Sequence, residues 1–330
     1  MAADDPVPAA SSLLPPPSSL HPFLLAGPTA VGKSAVALRL AERWGSEIIS
    51  VDSMQVYRGL DLGTAKPTPA ERRRVPHHLI DVLELTEPFD AARFATLARQ
   101  AVQEIQARGR IPILCGGTGL YFRAFLEGLG DAPPGDAALR VELERTPMPD
   151  LLRELAERDP ETFAKIDRQN PRRVLRALEV IRLTGRPFSA QRARWTQPSP
   201  LAPRPSPLFL GLSRAADDLR ARIDARVEDM FRRGLVAETA DLLRRGLAQN
   251  RTATQAIGYR QVIEHLRGER SLADTVTLVK QRTRQFAKRQ MTWFRRQADV
   301  TWVAVGPDED AASVVERLRR LRLPPRQGIS

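Results

Sequence analysis

The chain is expected to fold as an α/β protein, with a parallel, doubly wound sheet interrupted by an all-helical insertion. Three observations carry this. Short apolar runs at Phe23–Ala26, Glu47–Val51 and Ile111–Cys115 alternate with helical patterns, and that alternation implies parallel strands covered by helices. Two proline clusters, Asp131-Ala-Pro-Pro-Gly-Asp136 and Pro198 to Pro207, enclose an interval with helical periodicity only. Apolar runs then resume at Leu208–Leu212 and Thr301–Val305, which returns the chain to the sheet.

Each element has a local reason. Ala37, Leu40, Ala41 and Trp44 share one helical face, as do Phe94, Leu97, Ala98, Ala101 and Ile105 before a stop near Gly109. Asn170-Pro171 reads as an N-cap followed by proline at the first helical position, with a stop at Gly185. Two later helices end near Gly234 and Gly246. A long one opens at Ser271 with Asp274 three residues on, a capping-box pattern. The expected organisation is a Pro/Ser-rich disordered leader (1–21), a first core part (22–128), the helical insertion (129–205), a second core part (206–310), and a terminal helix and tail (311–330).

With 330 residues, 42% of them hydrophobic, the chain supports a large core and an appendage. The one cysteine, Cys115, excludes an internal disulfide and a zinc finger and fits a reducing cytoplasm. No apolar run is long enough to cross a membrane, and no Lys or Arg precedes Lys33, so a charged targeting segment is not expected. The net charge of +12 by itself fits a polyanionic partner or an arginine-rich proteome equally.

Gly27-Pro28-Thr29-Ala30-Val31-Gly32-Lys33-Ser34 matches G-x-x-x-x-G-K-[ST] between a strand and a helix. The sheet core is therefore read as P-loop type. Such a loop turns N–H groups toward phosphate, adds a helix dipole and a lysine charge, and offers a hydroxyl (Ser34) to Mg²⁺. The motif specifies a diphosphate or triphosphate without specifying ATP. Asp52 follows the second strand, where a carboxylate can take a proton from a nucleophile or simply cap a turn. Ser53 and Gln55 beside it can bond a base edge or be ordinary loop polarity. Gly116-Gly117-Thr118 follows the third strand at the same sheet edge and allows close backbone approach. His77 and His78, without metal-ligand companions, read as structural.

The basic residues are organised. Arg172, Arg173 and Arg176 lie off the apolar face of Val174, Leu175, Leu178 and Ile181. On the late helix, Val279, Phe286 and Trp293 recur every seven residues, as do Arg282, Arg289 and Arg296, with Lys288 and Arg295 alongside. No acid occurs from Lys280 to Arg296. A one-sign rail costs self-repulsion, which a phosphate backbone relieves.

These residues resemble the bacterial tRNA dimethylallyltransferase (tRNA isopentenyltransferase) family from about Phe23 to Val305. The resemblance rests on GPTAVGKS at Gly27, DSMQVY at Asp52, LGTAKPT at Leu62, PHHLIDV at Pro76, GGTGLYF at Gly116, RRVLRALEV at Arg172, IGYRQ at Ile257 and TRQFAKRQMTWFR at Thr283. It implies a P-loop that binds dimethylallyl diphosphate with Mg²⁺ and does not burn ATP. It also implies Asp52 as base toward the N6 amino group of adenine 37 of tRNA, and Thr118 and Arg140 near the substrate. Arg222 matches an arginine that helps bind the diphosphate. The tRNA-contacting stretches it implies are Asp52, Ser53, Met54 and Gln55; Arg172, Arg173, Val174, Leu175 and Arg176; Gln255, Gly258, Tyr259 and Arg260; and Lys288, Arg289, Gln290 and Arg295. No protein partner is expected, and a monomer is. A P-loop small-molecule kinase or NTPase, a tRNA-binding protein with a degenerate site, and an adenylate isopentenyltransferase remain as alternatives.

Overall fold

The computed structural model describes residues 20–191, 208–250 and 252–320. The leader through residue 19, the second proline cluster and the last ten residues lie outside that set. Of the described residues, those up to 90, 97–122 and those from 208 on form one compact unit. Residues 91–96 and 123–191 belong to a second. This division takes residues 91–96 and 123–128 into the second unit together with the expected insertion, so its break falls within the helix Gly119–Glu127.

The elements run β1 (Phe23–Ala26), α1 (Lys33–Trp44), β2 (Glu47–Val51), α2 (Pro69–Arg74), β3 (His77–His78), α3 (Ala91–Ala107), β4 (Pro112–Gly116) and α4 (Gly119–Glu127). The helical stretch is α5 (Ala137–Arg145), α6 (Met148–Arg158), α7 (Pro160–Lys165), α8 (Pro171–Thr184) and α9 (Phe188–Gln191). Then come β5 (Phe209–Ser213), α10 (Ala216–Arg232), α11 (Leu235–Arg244), α12 (Tyr259–Leu266), α13 (Leu272–Gln297), β6 (Thr301–Ala304) and α14 (Ala311–Arg320). The sheet order is β3-β2-β4-β1-β5-β6, with every pairing parallel. The chain therefore has an α/β fold with a parallel sheet and a helical insertion. β3 is an addition to the sequence reading: two histidines carry no strand periodicity, and only their pairing with Ile48 and Ile49 defines them as strand.

The strands β1, β2 and β4 are wholly buried, as parallel strands covered on both faces must be. Beneath α1, the side chains of Val36, Ala37, Leu40 and Ala41 pack with Phe23, Leu25, Ile113 and Leu210. The helical unit has its own core, with Leu143, Leu151, Leu155, Val174, Leu175 and Leu178 at its centre.

Two capping expectations change in detail. Asn170 stands at the N-cap of α8, but its side chain makes no capping bond; Pro171 at the first position starts the helix. Ser271 accepts from Asp274 N (3.1 Å) and donates to its carboxylate (2.6 Å). Only half of a capping box forms, since Asp is one carbon shorter than the Glu that reaches back to the cap N–H.

On α13 the seven-residue stripe is corrected. Val279 is buried, but Phe286 is 36% exposed and Trp293 only half-buried, while Thr275, Ala287, Gln290 and Phe294 are buried. A strict heptad drifts by about 20° per repeat on a straight helix. Successive members of the stripe therefore slide off the docked face.

Candidate active site

Register sets the site. Ala26 pairs with Gly116, and Gly116 with Val51, so β1, β4 and β2 end on one row. Gly27, Asp52 and Gly117 leave the sheet at the same level, at the strand C-termini where α/β folds bind ligands. Val31, fully buried in the core, anchors the first loop. Gly32 turns that loop into α1 with φ 106°, a left-handed conformation that suits glycine. The loop carbonyls face donors: Pro28 O accepts from Lys33 Nζ (3.1 Å), Ala30 O from Arg222 Nε (3.1 Å) and Val31 O from Arg214 Nε (2.9 Å). The N–H groups of Gly32, Lys33 and Ser34 form the start of the helix, where orphan donors and the dipole favour an anion.

A cleft of about 510 Å³ opens against this loop. Its charged lining comprises Lys33, Lys66, Arg222 and Arg226 against Glu71 and Asp229, and Ser34 is exposed along it. Burial pushes the Lys33 ammonium below the usual lysine range, and nearby Arg226 pushes the same way. Burial also lowers Arg226, and Asp52 opposes the effect on both cations. A cationic cleft whose charges are destabilised by desolvation gains most from an incoming anion.

Arg226 was not read from the sequence. It donates to Thr29 Oγ1 (3.3 Å) and follows Arg222 by four residues on α10. The available signal was that spacing: like charges at i,i+4 repel unless something anionic meets them. Lys66, also missed, is a brace. Its Nζ reaches Tyr57 O (2.9 Å), Asp61 (2.6 Å) and Asp81 (2.6 Å), tying the LGTAKPT loop down.

Asp52 Oδ1 accepts from Met54 N (2.8 Å) and Gln55 N (3.3 Å), and its Oδ2 has no hydrogen bond among the described residues. The Thr118 carbonyl accepts from Tyr121 N (3.0 Å) at the start of α4, and its hydroxyl has no partner among the described residues. Neither residue lines the cleft at the first loop; they share its sheet edge. The Gln55 amide is taken up within its own loop, by Ser50 Oγ (2.8 Å) and Thr64 O (3.1 Å).

The residues expected to contact tRNA divide. Lys288, Arg289 and Arg295 are exposed on α13, Gln255 and Arg260 are exposed beside α12, and Arg172 and Arg173 are exposed at the start of α8. A second cleft of about 370 Å³ brings Gln255, Arg260 and Arg289 together with Arg270 and Arg282. Five members are corrected as direct contacts through their side chains or surface. Val174 and Leu175 are core residues of the helical unit. Gly258 and Tyr259 are buried, and the Tyr259 hydroxyl donates to Glu238 (2.6 Å) while accepting from Gly63 N (3.2 Å). Gln290 is buried and bonded to two loops: it accepts from Thr29 N (2.9 Å) and donates to Gly117 O (2.9 Å). Arg140 and Arg176 are half-buried and share the carboxylate of buried Glu179, at 3.0 and 2.7 Å.

A parallel-sheet protein with a glycine-bounded loop facing a cationic cleft, a spare carboxylate at the next strand end and a basic helix is thereby defined. The comparisons make it particular. A family profile described as IPP transferase matches residues 55–297, and the chain belongs to that family. It is 46% identical to the tRNA dimethylallyltransferase 1 of Citrifermentans bemidjiense over 85% of this chain and 91% of that one. Among solved structures, it resembles a tRNA isopentenylpyrophosphate transferase from Bacillus halodurans at 39% identity and a TM-score of 0.66. That match covers 91% of this chain and 95% of that one. It also resembles a eukaryotic dimethylallyltransferase acting on tRNA at 30% identity and a TM-score of 0.72, covering 87% of this chain and 74% of that one.

Proposed function

We propose that this protein transfers a dimethylallyl group from dimethylallyl diphosphate to N6 of the adenine at tRNA position 37, beside the anticodon, releasing diphosphate. It acts as a monomer in the cytoplasm and does not consume ATP. No helix among the described residues is long and apolar enough to cross a membrane. The observation that carries the reading is the row of strand ends that sets a cationic cleft and the spare carboxylate of Asp52 on one sheet edge.

An exocyclic adenine amine is a weak nucleophile, because its lone pair is delocalised into the ring. An allylic diphosphate meets this need: its C–O bond breaks, diphosphate departs with the electron pair, and a resonance-stabilised allylic cation remains. The amides at the start of α1, with Lys33, Arg222 and Arg226, hold the departing diphosphate and stabilise its growing charge. Asp52 accepts the proton of the amine as the C–N bond forms, and Thr118 positions the base with its hydroxyl.

The donor set fits Mg²⁺. The Ser34 hydroxyl, exposed in the cleft, would offer it a hard oxygen. Among the described residues no group of three His, Cys, Asp or Glu side chains is placed to cage a metal; Mg²⁺ held mainly by phosphate oxygens and water needs no such group. When bound, Mg²⁺ supplies further neutralisation of the leaving group.

The free cations of α13, Arg172 and Arg173 of α8, and Gln255 and Arg260 are the proposed tRNA contacts. Purified protein with tRNA, Mg²⁺ and dimethylallyl diphosphate is expected to yield tRNA heavier by one prenyl group by mass spectrometry. A strict requirement for ATP, or ATP turnover alone, would refute the assignment in favour of a kinase or NTPase.

A further inference from the structure

Gln290 is a buried polar side chain in a run of exposed cations, between Arg289 and Met291 on α13. Its amide joins two loops that have no sequence proximity to each other or to it. Oε1 accepts from Thr29 N, within the loop that forms the cleft (2.9 Å). Nε2 donates to Gly117 O, in the loop that carries Thr118 (2.9 Å). The fit is close: a Cβ on Gly117 would stand 2.2 Å from Nε2, so glycine is required there for the amide to enter. Buried polar groups are costly unless each is paired, and here both halves of the amide are paired, each to a different strand-end loop.

We propose that Gln290 is a positioning residue for the diphosphate. It latches the loop after β1 to the loop after β4, so that the inner face of α13 shapes the cradle while its outer face stays basic. The amide withdraws Thr29 N–H from the cleft and fixes the turn that presents the amides of Gly32 to Ser34. It holds Gly117, and with it Thr118, at the same level. This rests on the reading of the cleft as a diphosphate site. The role differs from that of a core residue, because only a side chain with an acceptor and a donor in this arrangement fills it.

A carboxylic acid reproduces that arrangement when neutral, with its carbonyl oxygen toward Thr29 N–H and its O–H toward Gly117 O. It fails when ionised, because a carboxylate then faces a carbonyl. Three proteins are compared: wild type, Gln290→Met and Gln290→Glu. Inorganic pyrophosphate with Mg²⁺ is the probe, and affinity is measured by calorimetry at pH 5.5 and pH 8, each variant relative to wild type at the same pH. Thermal melting and RNA affinity are recorded alongside. Gln290→Met is expected to bind pyrophosphate about tenfold more weakly at both pH values, one lost pair of hydrogen bonds being of that order, with RNA affinity unchanged. Gln290→Glu is expected to match wild type at pH 5.5 and to weaken about tenfold or more at pH 8. If wild type binds pyrophosphate and both variants bind it equally well at both pH values, this proposal falls and the cleft reading stands. If wild type binds no pyrophosphate, both fall. A Gln290→Glu defect that is the same at both pH values would also overturn the latch, since it would reflect packing alone.

Discussion

Strand β2 carries a carboxylate at its first residue and another just past its last, and the two are used in opposite ways. Glu47, 3% exposed, accepts from Arg108 Nε and Nη2 (2.9 and 2.8 Å), from Arg110 (3.0 Å) and meets His78 Nε2 (2.7 Å). Burial would raise its carboxyl, but the hydrogen bonds from Arg108, His78 and Arg110 outweigh that and pull it down to about 2. Asp52 takes two backbone N–H groups on one oxygen and keeps the other. A saturated carboxylate holds the fold together; one with a spare oxygen can accept a proton. The cations of α13 divide in the same way. Arg284 is paired with Asp224 and Lys280 with Glu228, whereas Arg282, Lys288, Arg289 and Arg296 have no carboxylate partner among the described residues.

The sharpest way to break this comparison is to remove the spare group. Asp52→Ala is expected to lower the single-turnover prenylation rate by about two to four orders of magnitude, with tRNA affinity and melting temperature nearly unchanged. A near-wild-type rate would return Asp52 to a turn-capping role. The next effect concerns the spare cations. Replacing Arg282, Arg289 and Arg296 with Gln is expected to reduce the log–log salt slope of tRNA binding by roughly 2 to 3, at about 0.7–0.9 per lost phosphate contact. Pyrophosphate affinity should hold. An unchanged slope in a folded triple variant would make this face merely solvated and move the RNA path toward Arg172 and Arg173.

The smallest effect belongs to the saturated group. A carboxyl whose folded value lies near 2, against an ordinary 4.5, contributes stability that is present above about pH 4.5 and lost as pH falls toward 2. Glu47→Gln should therefore melt lower than wild type at neutral pH, and the gap should close as pH falls through that window. The prenylation rate should not change. A gap that stays constant with pH would mean that packing, rather than charge, gives Glu47 its place.

The strand runs and the loop between β1 and α1 were legible because their patterns are local: four or five apolar residues, or two glycines and a lysine at fixed spacing. The row that unites Gly27, Asp52 and Gly117 could be anticipated from parallel topology alone. What escaped was long-range pairing. Gln290 in a basic run is expected to face tRNA, and nothing nearby indicates that its partners are Thr29 and Gly117. Tyr259 and Gly258 looked like surface residues within a motif; Tyr259 instead fixes Gly63, about 196 positions away. Arg140 and Arg176 looked free because their partner, Glu179, lies on the inward face of a helix whose neighbours are apolar.

The order of the sheet also bears on how the protein is made. β1 is one of the two central strands and the first of the six in chain order, yet its two neighbours come late: Phe23 pairs with Ile113, and Leu24 with Phe209, about 185 residues further on. At typical synthesis rates of about 5–20 residues per second, that strand waits on the order of ten to forty seconds for its second partner. Throughout that time Phe-Leu-Leu-Ala keeps an unpaired edge open to other chains. The helical unit emerges during the interval and can close its own core from residues between 139 and 188. The unit that carries the sheet is begun first and finished last, whereas the helical unit is encoded in one nearly continuous stretch.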